Sequence, residues 1–231
     1  MSPKLYQYAV CPFCSKVDAI LAYKGVPYDA VEVHPLNKKE IAFSKEYRKV
    51  PIYIDSRGNQ VNDSTPIMRH IDREYPEKPV FESSPVAQAE EQKWVDWGSE
   101  VLVRALPPLI YNSIPNSLRA FSYITKLGKF SFVQRHFVKY SGAFAMYMVA
   151  KKSAKKQNIQ DPVAHFKKAL LTWSEALGSR KFLGGEKPNG ADLANFGILR
   201  SIATLPAFRY VEETPRVHDW YKRIEGLLCL S

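Results

Sequence analysis

Leu5-Tyr6-Gln7-Tyr8-Ala9-Val10 runs directly into Cys11-Pro12-Phe13-Cys14-Ser15-Lys16, and this stretch decides the fold. The first six residues are β-favouring with rough alternation, which predicts a strand. From Ser15 to Lys24, Val17, Ile20 and Leu21 fall on one helical face, and Gly25 follows as a C-terminal cap. The thiol pair therefore sits where a strand ends and a helix begins. A helix N-terminus presents unpaired N–H groups and a partial positive charge. A thiolate placed there is stabilised, so its pKa falls. Cys11 is the exposed first member and the expected nucleophile, with Cys14 one turn in and directed inward. Pro12 has no N–H to lose at the helix start. The alternative is a zinc half-site or two core thiols. Zinc wants a second Cys/His pair, which Cys229 and the scattered histidines do not supply, so no metal site is expected. The strand–CxxC–helix context favours redox or nucleophilic use of Cys11.

Further elements follow outward from this point. Tyr28 to Val33 reads as a second strand, parallel to the first if a helix joins them. Asn37 with Glu40 three residues on suggests a capping box. Ile52 to Asp55 and Gln60 to Asn62 are strands around the turn Ser56-Arg57-Gly58-Asn59. Ser64 opens a helix through Ile67, Met68 and Ile71, stopped by Pro76. The order βαβαββα predicts an α/β thioredoxin-like domain, a small mixed sheet with helices on both sides. Pro76, Pro79 and Pro85 mark a linker. The expected division is a thioredoxin-like domain over 1–79, a linker over 80–85 and an all-helical domain over 86–231. In the helical part, one helix is expected from Val86 to about Leu106, ended by Pro107-Pro108. Others cover Asn116 to Leu127 and Phe130 to Gln157. Asp161 with Pro162, Asn189, and Pro215 start three more.

The 231 residues suffice for two small domains with a substantial core. A hydrophobic fraction of 45% and a charged fraction of 24% exclude a disordered chain. No apolar run is long enough to span a bilayer. The chain opens on Met1-Ser2-Pro3-Lys4 without an apolar leader, and the few cysteines do not make a disulfide framework; both predict a cytoplasmic, reducing setting. The net charge of +10 is concentrated between Glu100 and Asp161, a stretch with ten Lys and Arg and no acidic residue. Tyr111, Phe121, Tyr123, Phe130, Phe132, Phe137, Tyr140, Phe144 and Tyr147 interleave with these charges. That pattern fits a solvated basic surface over an aromatic core, a face drawn peripherally to anionic membrane, or steering of a lipid-derived carboxylate or haem. No nucleic-acid recognition module is visible.

Two further motifs belong with the thiol. In Lys49-Val50-Pro51-Ile52 a proline enters a strand, where it cannot donate to the ladder. A cis Val50–Pro51 bond would turn the Val50 backbone towards Cys11, to pair with an extended peptide-like ligand; a plain edge-strand proline is the alternative. Asn62-Asp63-Ser64 precedes a helix. The Ser64 hydroxyl and the helix N–H groups can bind a carboxylate, and Asp63 can accept from an α-amino group. This could be an ordinary N-cap; with the other two motifs it suits the γ-glutamyl end of glutathione.

These segments, with Tyr47-Arg48, Gly128-Lys129-Phe130, Ala145-Met146-Tyr147 and Gly184-Gly185-Glu186-Lys187-Pro188-Asn189-Gly190-Ala191-Asp192-Leu193-Ala194, resemble the membrane-associated prostaglandin E synthase type 2 family. That family lies within the glutathione-transferase and glutaredoxin superfamily. The resemblance runs from about Leu5 to Glu225. It implies an all-α C-terminal domain of the glutathione-transferase type, homodimers, glutathione binding, and haem binding through the glutathione sulfur. It also implies isomerisation of prostaglandin H2 to prostaglandin E2 by the haem-free form. Carried over, Cys11 is the catalytic thiol, with Tyr8 its hydrogen-bonding neighbour and Cys14 its partner. Phe13 and Tyr8 line the substrate pocket, and Val50, Pro51, Asp63 and Ser64 hold glutathione. Asp192 is a structural helix cap. Arg104 replaces a family histidine linked to the haem propionates. Glutathione-dependent thiol–disulfide exchange and non-catalytic haem–glutathione binding are the alternatives.

Overall fold

The computed structural model describes residues 1–35, 37–127 and 132–228. The N-terminal part is a four-stranded mixed sheet in the order β2-β1-β3-β4. Strands β1 (Lys4–Gln7) and β2 (Asp29–Glu32) run parallel, joined by α1 (Pro12–Lys24). Strands β3 (Ile52–Ile54) and β4 (Gln60–Asn62) add antiparallel neighbours, and α2 (Ser64–Glu74) closes the unit. Strand alternation splits the sheet into two faces. Leu5 and Tyr53 pack with Val17, Ile20 and Leu21 of α1 and Ile67, Met68 and Ile71 of α2. Tyr6, Ile52 and Ile54 pack with Val33, Ile41 and Tyr47. Both of these helices thus cover one face, and the short helix expected from Asn37 on the other is reduced to a single 3-10 turn. The loop between β2 and β3, with a single 3-10 turn at Lys39–Ile41, covers the other. The capping box expected at Asn37 does not form. Lys38 takes a left-handed conformation, and the Glu40 carboxylate accepts from His34 N–H at 2.9 Å instead.

Helices follow to the end of the described chain: α3 (Pro85–Trp97), α4 (Val103–Ile110), α5 (Ile114–Leu127), α6 (Phe132–Lys156), α7 (Pro162–Leu177), α8 (Gly190–Arg200), the short α9 (Arg209–Glu212) and α10 (Pro215–Glu225). A π turn at Gly98–Leu102 joins α3 to α4. Pro107 and Pro108 do not end a helix; they lie inside α4. Proline removes a ladder hydrogen bond, but Ala105, Leu106, Pro108 and Leu109 are all buried, and that packing holds the helix together. Trp94, Trp97, Trp173 and Trp220 pack ring against ring in the helical core, Trp97 and Trp173 stacked and the other contacts edge to face. Asn189 and Asp192 form a capping box on α8. The fully buried Asp192 carboxylate also accepts from Leu183 N, Gly184 N and Trp220 Nε1.

Helix α8 lies directly against α1. A Cβ added to Gly197 would stand 2.5 Å from the Ser15 carbonyl oxygen and 2.7 Å from Lys16 Cα. Only glycine permits that approach. Arg200 closes the same contact with an ion pair to Asp18 at 2.6 Å. The aromatic core expected beneath the basic stretch is partial. Phe121 is buried and Tyr111 packs beside it, whereas Phe137, Tyr140 and Phe144 are 57–63% exposed along α6. Tyr123, Phe130, Phe132, Gly128, Lys129 and Cys229 fall outside the described residues or side chains. Among the described residues, no helix is long and apolar enough to cross a membrane.

Candidate active site

Strand register gathers the chemistry at one end of the sheet. Tyr6 of β1 pairs with Ile52 of β3, which pairs with Asn62 of β4. Continuing each strand beyond that row leads to Tyr8 and Cys11, to Pro51 and Val50, and to Asp63 and Ser64. The turn from β1 is fixed by Cys11 N–H donating to the Tyr8 carbonyl at 2.9 Å and by Ala9 N–H donating to both Glu32 carboxylate oxygens at 3.1 Å. Cys11 is the N-cap of α1, with extended backbone, and remains partly accessible; Cys14 is 2% exposed.

Hydrogen bonding separates the two thiols. Cys11 is held below the ordinary thiol value, first by a hydrogen bond from the Cys14 thiol and then by the backbone N–H groups of Cys14 and Phe13. Burial and the nearby Glu32 carboxylate act against this but do not prevail. Cys14 is pushed far up by burial, by its bond to Cys11 and by the charge on Cys11. Of the two, Cys11 is therefore the more readily ionised and Cys14 the one that keeps its proton. Burial raises Tyr8, followed by the charges of Cys11 and Cys14, so the phenol stays protonated beside the thiolate. The bond that joins Tyr8 to Cys11 runs through the backbone, not through the expected phenol.

The Val50–Pro51 peptide is cis. The ladder starts at Ile52, so the Val50 peptide stands outside it. Asp63 caps α2 at φ 70°, ψ 143°. Such a backbone is strained for a residue other than glycine, and strain of this kind gathers at ligand clamps. Its Oδ1 accepts from Ser64 N at 2.6 Å. Asp63, not Ser64, is therefore the cap, and buried Ser64 is the first helical residue.

Three residues of this site have no role assigned in the sequence motifs. Glu32 ends β2 opposite Gln7, and only the parallel register brings it under the thiol loop. Tyr47 is pushed up to about 12 by burial and then by the charges of Asp63, Cys14 and Cys11, so it stands among them. Lys16 is fully buried, with Nζ 3.2 Å from Thr65 Oγ1 and 3.0 Å from Ser99 Oγ, and 5.9 Å from the Phe13 ring centroid. Burial pushes it down to about 8, against the attraction of Asp63 and Asp96.

Val10 and Pro12, which flank Cys11, form one wall of an apolar cavity of about 220 Å3. Leu106, Ile110 and Tyr111 form another wall, with Met146 of α6 and Ile202 beyond the end of α8. A second cavity of about 240 Å3 shares Ile110 and Leu205 with the first and carries Arg119 and Arg209. Phe13 borders Lys16 and does not line the apolar cavity. Arg104, expected as a carboxylate partner, is exposed and lines neither cavity.

Both parts of the chain are similar to known proteins. Residues 5–79 match the family model of the glutathione S-transferase N-terminal domain, and residues 127–227 that of the C-terminal domain. Prostaglandin E synthase 2 of Mus musculus is 36% identical, covering 96% of this chain and 69% of that protein. Its Danio rerio counterpart is also 36% identical, covering 96% of this chain and 70% of that protein. Among solved structures, a glutathione S-transferase from Sinorhizobium meliloti superposes with a TM-score of 0.70 at 17% identity, over 98% of this chain and 89% of that one.

Proposed function

The chain belongs to the prostaglandin E synthase 2 family of the glutathione S-transferase superfamily, and from that premise we propose that it is a glutathione-binding thiol isomerase converting prostaglandin H2 to prostaglandin E2. The observation that carries the reading is the place of Cys11 at the N-terminus of α1, where the Cys14 thiol and the Cys14 and Phe13 N–H groups lower its pKa, between Val10 and Pro12 of the apolar cavity's wall. Glutathione would lie across the sheet end. Its γ-glutamyl carboxylate would meet the Ser64 hydroxyl and the N-terminus of α2, its ammonium Asp63, and its central peptide the Val50 backbone.

The lipid endoperoxide would place its chain in the apolar cavity and its carboxylate towards Arg119 and Arg209 next door. The Cys11 thiolate attacks one peroxide oxygen. A sulfur–oxygen bond forms as the oxygen–oxygen bond breaks, and the departing alkoxide takes a proton from Tyr8. The Tyr8 phenolate so formed takes the proton from the carbon bearing the sulfur-bound oxygen, which gives the ketone and restores the phenol. The electrons of that C–H bond form C=O, and the sulfur leaves as thiolate. Reactant and product are isomers, so no outside oxidant or reductant enters. Haem has no step here. Its rigid macrocycle needs one broad cavity beside Cys11 with cations for its propionates. Among the described residues, the cavity beside Cys11 is about 220 Å3, is lined almost wholly by apolar side chains and carries no cation.

Purified protein incubated with prostaglandin H2 and glutathione should form prostaglandin E2 faster than buffer does, and Cys11→Ser should abolish the excess. Product at the spontaneous rate, or an unaffected variant, refutes the reading. The hydrogen bond between the two thiols favours a second reading, glutathione-dependent thiol–disulfide exchange with Cys14 as resolving thiol. Turnover of a glutathionylated disulfide coupled to glutathione reductase tests it, and no turnover removes it.

A further inference from the structure

At the opposite end of β3 from Cys11, three side chains converge where the β3–β4 turn meets the last turns of α2. His70 Nε2 lies 3.1 Å from Asp55 Oδ2 and 3.6 Å from Glu74 Oε2, and the three atoms all fall within 4.8 Å of one another. A neutral imidazole carries at most one proton on Nε2. Once that proton goes to Asp55, Glu74 Oε2 is left without a donor, and it is a buried oxygen with no hydrogen-bond partner. The remaining oxygens are tied down. Asp55 Oδ1 accepts from Arg57 N at 3.0 Å and Asn59 N at 2.8 Å, and Asp55 Oδ2 also accepts from Asn59 Nδ2 at 2.9 Å. Glu74 Oε1 accepts from Ser56 Oγ at 2.8 Å. Fully buried Tyr53 packs its ring edge against His70.

We propose that Asp55, His70 and Glu74 form a binding site for one divalent transition-metal ion of the zinc kind. A cation in place of the shared proton satisfies both carboxylates and the imidazole lone pair at once. Zinc bonds of about 2.0–2.2 Å set ligand atoms roughly 3.3–3.6 Å apart around a tetrahedral ion, close to the 3.1 and 3.6 Å that separate the two carboxylates from His70 Nε2. One imidazole with two carboxylates is a nitrogen–oxygen set suited to zinc, cobalt or manganese. The hydrogen bonds from Ser56, Arg57 and Asn59 are the outer-shell support that orients metal-binding carboxylates. Sequence spacing hides the site, because strand and helix supply its ligands from positions 55, 70 and 74. The ion would fasten the β3–β4 turn to the end of α2, whose other end carries Ser64.

The thiol pair can also bind zinc, so the test begins with Cys11→Ser/Cys14→Ser. Calorimetric titration with zinc should show one site per chain in that protein. The added substitution His70→Gln or Glu74→Gln should weaken it at least tenfold, and zinc should raise the unfolding temperature only while the triad is intact. No binding at 100-fold molar excess of zinc, or binding indifferent to both substitutions, overturns the proposal. Should the substituted proteins fail to fold, cobalt titration of the unmutated chain decides. Visible ligand-field bands beyond those of the thiolate site support the triad; thiolate charge-transfer absorption alone overturns it.

Discussion

Replacing Lys16 with methionine should stabilise the protein. Lys16 is fully buried in α1 and faces two hydroxyls, with no ion pair. Burial lowers it from 10.5 to about 8. At about 1.4 kcal/mol per unit, keeping it charged in the fold costs about 3 kcal/mol. The sign follows from linkage. Below pH 8 both folded and unfolded chains hold the proton, and the full cost applies. From pH 8 towards 10.5 the folded chain releases the proton first, so stability rises with pH in that window. Methionine has similar length and no charge. Ser99 keeps its bond to the Val95 carbonyl, and partly exposed Thr65 can reach water. Lys16→Met should therefore gain about 1–3 kcal/mol at pH 7, the cost being reduced by the lost hydrogen bonds. Denaturant titrations of both proteins from pH 7 to 9.5 check this. The advantage of the variant should shrink steadily above pH 8, and taking the difference cancels the thiols and tyrosines common to both. A less stable variant at pH 7, or a difference that does not change with pH, refutes the reasoning.

Cys14→Ala removes the first-ranked donor to Cys11, so the Cys11 pKa should rise towards the free-thiol value, and its alkylation at pH 7 should slow; thiolate absorbance against pH reads the change. Ser64→Ala should weaken glutathione roughly ten- to a hundredfold by loss of one hydrogen bond to a charged group, measured by calorimetry. Gly197→Ala should destabilise by about 1–3 kcal/mol in denaturant titration, because the added methyl meets the α1 backbone rather than a flexible side chain.

The parts of the molecule legible in the sequence were those set by local rules. The CxxC at a strand–helix junction, the cis-proline motif, and the Asn189–Asp192 capping box each depend on residues within a few positions of one another. So do the proline-initiated helices at Pro162 and Pro215. Readings failed where packing overrode a local preference. Pro107 and Pro108 are breakers by composition, but the buried face of α4 outweighs them. Asn37 and Glu40 have capping-box spacing, yet Glu40 finds a better donor in His34. Glu32, Tyr47 and Lys16 escaped for another reason. Strand register brings Glu32 to the site, the loop before β3 brings Tyr47, and the contact of α1 with Ser99 surrounds Lys16, none of which is visible in a linear pattern. Phe13 misled in the opposite direction, since its place beside the thiol suggested a pocket wall and its ring turns to Lys16.

The contact between α1 and α8 therefore bears on chemistry as well as on stability. Gly197 brings the α8 backbone against Ser15 and Lys16, one turn from Cys11. The chain leaving α8 supplies Ser201, Ile202 and Leu205 to the cavity that Val10 and Pro12 close from the other side. The distance between the thiol and the far wall is thus set by the approach of the two helices. A shift of α8 by the width of a methyl would move that wall while leaving the donors to Cys11, all within the turn that begins α1, in place. Thiol ionisation and cavity shape are consequently separable. Gly197→Ala, in the fraction that folds, should retain the lowered Cys11 pKa yet lose turnover of a bulky apolar substrate. Equal loss of both would mean that the start of α1 is held by α8 rather than by its own hydrogen bonds.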